Sequence, residues 1–319
     1  MKILVTGGCG FIGSHFIRRL LMEGNNDKIK IINMDKLTYA GNPNNLKDVK
    51  SDKRYKFIKA DICGRRAVEK CMKGTDIIVH FAAETHVDRS IIDAGSFVRT
   101  DVLGTCVLLE SARKAGVEKF VHISTDEVYG SVEKGRFREN DAVMPNSPYA
   151  ASKAGGELLA RSYFVTHGLP VVIVRSSNNY GPFQHPEKFI PHSITNLLRG
   201  RNIRIYGNGS NIRDWLFVKD NCAALETVMK KGKPGESYNV GGGHEKTNID
   251  AARKIADIMG MRDCIEFVRD RKGHDFRYAL NWKKTAALGW KPETGFDSGL
   301  AGTVKWYREN EWWWKPLVS

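Results

Sequence analysis

Short, mostly apolar runs alternate with amphipathic stretches through the first half of the chain. The runs fall at Lys2 to Thr6, Lys30 to Met34, Tyr55 to Ala60, Asp76 to Ala82, Lys119 to Ser124 and Val171 to Ser176. Apolar on both faces, they predict strands buried on both sides, as in a parallel sheet. Between them, Phe16, Ile17, Leu20 and Leu21 form one helical stripe. Val102, Val107, Leu108 and Ser111 form another, in a longer helix that ends near Gly116. Strand alternating with helix predicts an α/β, doubly wound parallel sheet with right-handed crossovers.

The rhythm breaks after Gly181. Pro182, Pro186 and Pro191 come close together, and the tail is aromatic, with Trp306, Tyr307, Trp312, Trp313 and Trp314. This predicts a sheet-bearing domain over residues 1–180, to which the chain returns around 215–243, and a smaller α+β region over 181–319 that binds substrate.

Composition changes this picture little. Of 319 residues, 41% are hydrophobic, enough for a sizeable core. No apolar run approaches the ~20 residues of a membrane span. Met1 to Val5 lead straight into a glycine turn, without the pattern of a secretory leader, so a cytoplasmic location is expected. The cysteines (9, 63, 71, 106, 222 and 264) form neither a CxxC pair nor a zinc-spaced cluster, so no metal is expected. A net charge of +14 raises the question of nucleic acid, but the basic residues are dispersed and the longest cluster is Lys230-Lys231-Gly232-Lys233. Neither nucleic acid nor membrane is expected as a partner.

The chemistry begins at Gly7-Gly8-Cys9-Gly10-Phe11-Ile12-Gly13, between a strand and a helix. Glycines there permit a tight turn, close approach of backbone to a pyrophosphate, and close packing of the helix, whose N-terminus faces the phosphate charge. Asp35 ends the next strand, placed to bind ribose hydroxyls and repel a 2′-phosphate. The reading is a Rossmann domain that binds NAD. Lys36 works against that preference and keeps NADP as the alternative. Asp61-Ile62 and Ala82-Ala83 follow the next two strands, where the adenine and the cofactor backbone are expected to lie.

Tyr149 and Lys153 share one face at the start of a helix. A nearby ammonium favours a phenolate, so Lys153 is expected to lower the Tyr149 pKa and make it a base. Ser124-Thr125-Asp126-Glu127 sits at the C-terminal end of the fifth strand, where such sheets place ligands. Two adjacent carboxyls there fit an added proton donor and acceptor. On these residues alone a plain loop, with Asp126 capping a turn and Glu127 solvated, stands beside that reading.

Over essentially its whole length the chain resembles the dTDP-glucose 4,6-dehydratases, extended short-chain dehydrogenase/reductases. The resemblance rests on the glycine turn, on Asp35-Lys36-Leu37-Thr38-Tyr39-Ala40-Gly41-Asn42, on His86-Val87-Asp88-Arg89-Ser90 and on Thr125-Asp126-Glu127. Further on it rests on Asn178-Asn179-Tyr180-Gly181-Pro182, Arg213-Asp214-Trp215-Leu216 and Asp270-Arg271-Lys272-Gly273-His274-Asp275. It implies that Tyr149 takes the sugar 4-hydroxyl proton while NAD accepts the C4 hydride. Glu127 then removes the C5 proton, Asp126 protonates the departing 6-hydroxyl, and the hydride returns to C6. Thr125 would bind the 4-oxygen, and Lys153 would assist Tyr149 and hold the nicotinamide ribose. The cofactor set implied is Gly7, Gly10, Phe11, Ile12, Gly13, Asp35, Lys36, Leu37, Thr38, Gly41, Asp61, Ile62, Phe81, Ala82, Ala83, Thr100, Tyr149, Lys153 and Asn179. The nucleotide-sugar set is Thr85, Thr125, Asn178, Lys188, Phe189, Tyr206, Arg213, Asn248, Arg271 and His274. A homodimer is implied, through helices near residues 98–114 and 149–166.

The sequence departs from the family pattern at Thr85, Phe81, Asp101 (in place of Asn) and Lys272, none of which is expected to touch the catalytic set. A UDP-hexose dehydratase, differing only in its base pocket, and a 4-epimerase, which has no need of the carboxyl pair, are the alternatives. An NAD-sensing or RNA-associated protein without turnover is supported by the charge alone.

Overall fold

The computed structural model describes residues 1–23 and 28–318. Twelve strands run in chain order: β1 Lys2–Thr6, β2 Lys30–Asp35, β3 Tyr55–Lys59, β4 Ile77–His80, β5 Lys119–Thr125, β6 Val171–Ser176, β7 Asn178–Tyr180, β8 Ile203–Tyr206, β9 Ile212–Phe217, β10 Ser237–Val240, β11 Glu245–Thr247 and β12 Ile265–Val268. Seven of them form a parallel sheet in the order β10-β6-β5-β4-β1-β2-β3. The order reverses between β1 and β4, which opens a crevice beyond their C-terminal ends. All six predicted strands are present. The fourth is shorter than expected because Phe81 and Ala82 turn off the ladder and donate to the backbone and hydroxyl oxygens of Thr6.

Both faces of this sheet are covered by helices. One apolar cluster joins Ile3, Val5, Phe16 and Ile17 to Leu225 and Val228, and another joins Leu4, Ile78, Phe120 and Leu108. A separate cluster holds Tyr180, Ile194, Trp215, Leu300, Trp313 and Trp314, so most of the aromatic tail is core, while Trp312 is 53% exposed. It packs beside a three-stranded sheet, β11-β9-β7, and a two-stranded one, β12-β8. Between these, the helix Val218–Lys231 and β10 return to the large sheet, where β10 pairs with β6.

Local chemistry sets the helices that frame the site. Pro148–His167 starts with the Ser147 hydroxyl accepting from the Ala150 N–H and Pro148 in the first turn, and stops at left-handed Gly168. The helix expected near 98–114 has two parts. A π-helical turn, Val98–Gly104, leads into Thr105–Ala115, which ends at left-handed Gly116. Such turns occur mostly at functional sites, and this one carries Thr100 and Asp101.

Under the sheet, Arg175 and Glu157 form a fully buried pair, with Arg175 Nε 3.0 Å from Glu157 Oε1 and a further guanidinium N–H donated to the Glu139 carbonyl at 3.0 Å. Removing one partner strands the other charge, so Arg175→Met is expected to lower unfolding free energy by about 3–5 kcal/mol. Exposed Lys305–Glu309, 3.8 Å apart, should cost under ~1 kcal/mol when broken. Urea unfolding of both variants checks this; equal small losses would contradict it.

Candidate active site

The crevice at the switch point is lined by Gly7, Gly10, Phe11, Ile12, Gly13, Asp35, Lys36, Thr38, Gly41, Asp61, Ile62, Phe81, Ala82, Ala83, Thr100, Tyr149 and Lys153. Three of its glycines, Gly7, Gly10 and Gly13, have different jobs. Gly7 has φ +72°, and a Cβ there would lie 2.6 Å from the Ala82 amide nitrogen. A Cβ on Gly13 would lie 2.5 Å from the Gly7 carbonyl oxygen. Gly10 has an ordinary φ of −75°, and its Cβ would meet within the protein only that carbonyl, at 3.2 Å. Gly10 therefore leaves room for what enters the crevice, where the first N–H groups of the helix Phe11–Arg18 are available to an anion.

Asp35 is buried. Its two oxygens accept from the Cys9 and Leu37 N–H groups at 2.9 and 2.8 Å, and each keeps a lone pair for a ribose hydroxyl. Leu37 adopts φ +59° to make that bond and packs into the core. It supports the crevice through its backbone and does not line it. Lys36 Nζ is held 2.8 Å from Asp61 Oδ2, which directs its charge to a carboxylate. A dinucleotide with unsubstituted ribose fits this donor and acceptor set. Asn179 also lies outside the lining. Its side-chain amide donates to the Ser177 carbonyl, and its backbone carbonyl accepts from the Gln184 side chain, which does reach the crevice.

Just beyond Ser124 in the crevice lining, β5 delivers the carboxyl pair. Thr125 caps a short 3₁₀ turn, its hydroxyl accepting from the Glu127 N–H at 3.3 Å and donating to Asp126 Oδ1 at 3.2 Å. The cap is Thr125, so the plain-loop reading of Asp126 is set aside. Asp126 is 1% exposed, and its Oδ2 has no hydrogen-bond partner among the described residues. Burial, then Glu127 and Asp214, hold its pKa well above the carboxylate range. Burial also raises Glu127, but Arg271, Lys188 and Arg213 oppose the rise. Both carboxyls are raised by burial, but their surroundings differ in degree: Glu127 adds to the rise of Asp126, whereas three cations oppose the rise of Glu127.

Two sequence expectations need correction. Tyr149 is not lowered here: burial, then Glu127, Asp101 and Asp126, raise it, while a hydrogen bond from Thr125 favours the phenolate. Lys153 instead donates to the Ile123 carbonyl at 2.7 Å. Asp101, expected to be remote from the catalytic set, bears on Tyr149 and Lys153 through its charge. It is 2% exposed and accepts from the Ser152 hydroxyl at 2.6 Å and the Glu84 N–H at 2.9 Å.

The substrate side is cationic. Arg213 is clamped by the backbone carbonyls of Ile212, Asp275 and Phe276, over the Tyr278 ring at 4.3 Å. Lys188 donates to the Thr85 hydroxyl at 2.9 Å. The buried atoms Arg271 Nε and Asn178 Oδ1 have no partner among the described residues. Tyr206 donates to Asp88 at 3.2 Å, Arg271 lies 3.7 Å from Asp88, and His274 pairs with Asp270 at 2.6 Å. Phe189 stacks on Trp215 beside the second core, and Asn248 opens the helix Asn248–Met259. Sequence reasoning missed Tyr278, whose hydroxyl is 3.5 Å from Glu127 Oε2 and 2.6 Å from Asp275 Oδ2, and also Gln184 and His185 in the crevice.

Comparison with known proteins agrees with this geometry. The family model described as GDP-mannose 4,6 dehydratase matches residues 4–303. A dTDP-glucose 4,6-dehydratase of Streptomyces niveus is 50% identical, over 100% of this chain and 96% of its own. A crystal structure of the dTDP-glucose 4,6-dehydratase of Streptomyces venezuelae, with NAD bound, superposes with a TM-score of 0.98 at 50% identity, covering 99% of this chain and 100% of that one. A UDP-glucose 4-epimerase of Thermus thermophilus, complexed with NAD, gives 0.90 at 32% identity, covering 97% and 100%. Fold and site together define an extended short-chain dehydrogenase/reductase. Within that class, the chain belongs to the dTDP-glucose 4,6-dehydratase family.

Proposed function

We propose that this chain is a hydro-lyase that converts dTDP-glucose to dTDP-4-keto-6-deoxyglucose and water, with NAD used catalytically. The observation that carries the reading is a pair of adjacent carboxyls in the site, Asp126 buried with one oxygen free of hydrogen bonds and its pKa pushed well up, and Glu127 with its rise opposed by three cations. When bound, NAD supplies a hydride acceptor at C4 and the donor of the same hydride at C6. Tyr149 takes the 4-hydroxyl proton, with Thr125 beside it and Lys153 behind. The 4-ketone acidifies C5, and Glu127 removes that proton. Asp126 protonates the 6-oxygen as it leaves, and Glu127 returns its proton to C5 as C6 is reduced. Lys188, Arg213, Arg271 and Asn178 hold the diphosphate and sugar, with Tyr206 and His274 at the base.

A 4-epimerase has no use for the pair Asp126 and Glu127. The thymine base rests on the 50%-identical relative. Incubation with dTDP-glucose and UDP-glucose in parallel, followed by mass spectrometry, tests the reading. Loss of water from dTDP-glucose is expected; loss from neither substrate would overturn it.

The expected homodimer has a matching surface. Ile92, Val98, Leu103, Leu158 and Val165 are 51–87% exposed on adjoining helices, a grouping of apolar side chains that fits an interface. Leu103→Arg combined with Leu158→Arg is expected to convert a dimer to a monomer in analytical ultracentrifugation. A dimer that persists would place the interface elsewhere. All six cysteines are free thiols, which fits a reducing compartment such as the cytoplasm. No helix among the described residues is long and apolar enough to cross a membrane.

A further inference from the structure

NAD used catalytically must stay bound from one turnover to the next. The glycine turn forms one wall of its crevice. Three further segments, far apart in sequence, contribute to the lining. They are Thr38, Ala40 and Gly41 after β2, Glu84 and Thr85 after β4, and Gln184, His185 and Lys188 after β7.

Neighbouring side chains tie these three segments together. The Tyr39 hydroxyl donates to the Thr85 carbonyl. The Arg89 guanidinium lies 3.8 Å from the centre of the Tyr39 ring, and its Nε donates to Glu187 Oε2 at 2.9 Å. The His185 ring meets Tyr39 edge-on, with centroids 5.5 Å apart. Arg89, on the short helix Val87–Ile92, therefore grips one segment by a ring and another by a carboxylate. Its side chain is half-exposed and does not line the crevice, so this grip stands on the solvent side of the rim. His86, just before the helix, has φ +104°. A non-glycine residue keeps such a conformation only where its surroundings impose it, so contacts hold this segment in place. One exposed ion pair adds little. Here the same guanidinium also lies on an aromatic face, a second attraction acting on a different segment.

We propose that Arg89 is a cofactor-retaining residue, which clamps Tyr39 and Glu187 across the crevice rim and so slows the escape of NAD without touching it. NAD leaves when the segments after β2 and β7 separate, and the clamp opposes that separation. Arg89 is thus a positioning residue. The proposal rests on NAD as the resident cofactor and adds what keeps it resident.

The test measures release. Protein loaded with radiolabelled NAD is chased with excess unlabelled NAD, and the label still bound is followed by rapid gel filtration. Arg89→Met keeps the reach of the side chain and removes both the ion pair and the cation–π contact. Its NAD is expected to leave about tenfold faster than the parent's. Arg89→Lys keeps the charge without the planar guanidinium and should fall in between. Arg89→Met combined with Glu187→Gln should speed release by less than the product of the two separate effects, because both cut one tie. The melting temperature of Arg89→Met without NAD should stay near the parent's. Should that variant not fold, Tyr39→Leu cuts the clamp from the ring side and is expected to speed release in the same way. Release at the parent rate would overturn the clamp and leave NAD standing as resident cofactor. Faster release with a matching loss of cofactor-free stability would overturn it too, in favour of a structural role. A parent protein that retains no label would overturn the resident-cofactor reading itself.

Discussion

Glu127→Gln is expected to oxidise its sugar once and then stall. The variant keeps Tyr149, Lys153 and the crevice, so the 4-hydroxyl proton still has a base and hydride still leaves C4. It lacks a base at C5, and the amide accepts no proton from carbon. General-base catalysis contributes roughly 10²–10⁴-fold, so loss of water should slow by that factor while reduced cofactor accumulates to about one equivalent per site. Arg271, Lys188 and Arg213 would then face an amide instead of the carboxyl whose anion they favour. Absorbance of NADH, followed alongside mass spectrometry of the sugar, reads both effects. Dehydration at the parent rate would remove Glu127 from the C5 position.

The second large effect separates two glycines that look alike in the sequence. Gly7→Ala puts a side chain at φ +72° and 2.6 Å from the Ala82 backbone nitrogen. The left-handed backbone alone costs ~1–2 kcal/mol, and the clash forces β1 and β4 apart at the floor of the crevice. Both the melting temperature and NAD affinity should fall, the latter by about tenfold or more. Gly10→Ala keeps φ −75° and meets only one carbonyl, at 3.2 Å. Its melting temperature without cofactor should stay near the parent's, while NAD affinity falls because the methyl group occupies the approach of the pyrophosphate. Calorimetry with and without NAD checks both. Equal behaviour of the two variants would contradict the division.

What the sequence revealed depended on how local the cause was. Five of the strands of the large sheet, β1, β2, β4, β5 and β6, are legible because they are largely buried and read as apolar runs, and edge β3 is legible from Tyr55, Phe57 and Ile58 although it is largely exposed. β10 was not individually legible: its four residues, Ser237-Tyr238-Asn239-Val240, take their place from pairing with β6 at the sheet edge. The turn Gly7 to Gly13 could be read from spacing, but only the structure shows that Gly7 answers to the protein and Gly10 to what enters the crevice. Tyr149 and Lys153 were legible as neighbours on a helix. The direction of the Tyr149 pKa was not, because it is set by burial and by carboxyls from two other segments. Asp101 looked like a remote departure and proved to be a buried neighbour of Ser152, since the π-helical turn Val98–Gly104 rotates it inward. Tyr278 carried no local signal at all. It reaches Glu127 from 151 residues away.

The central claim is that hydride leaves C4 and returns to C6 of the same sugar within one turnover. dTDP-glucose deuterated at C4 tests it directly. Products analysed by NMR after conversion in ordinary water are expected to carry the deuterium at C6, with hydrogen at C5 and no lasting rise in NADH. Deuterium lost to the medium, or left on released cofactor, would contradict the account.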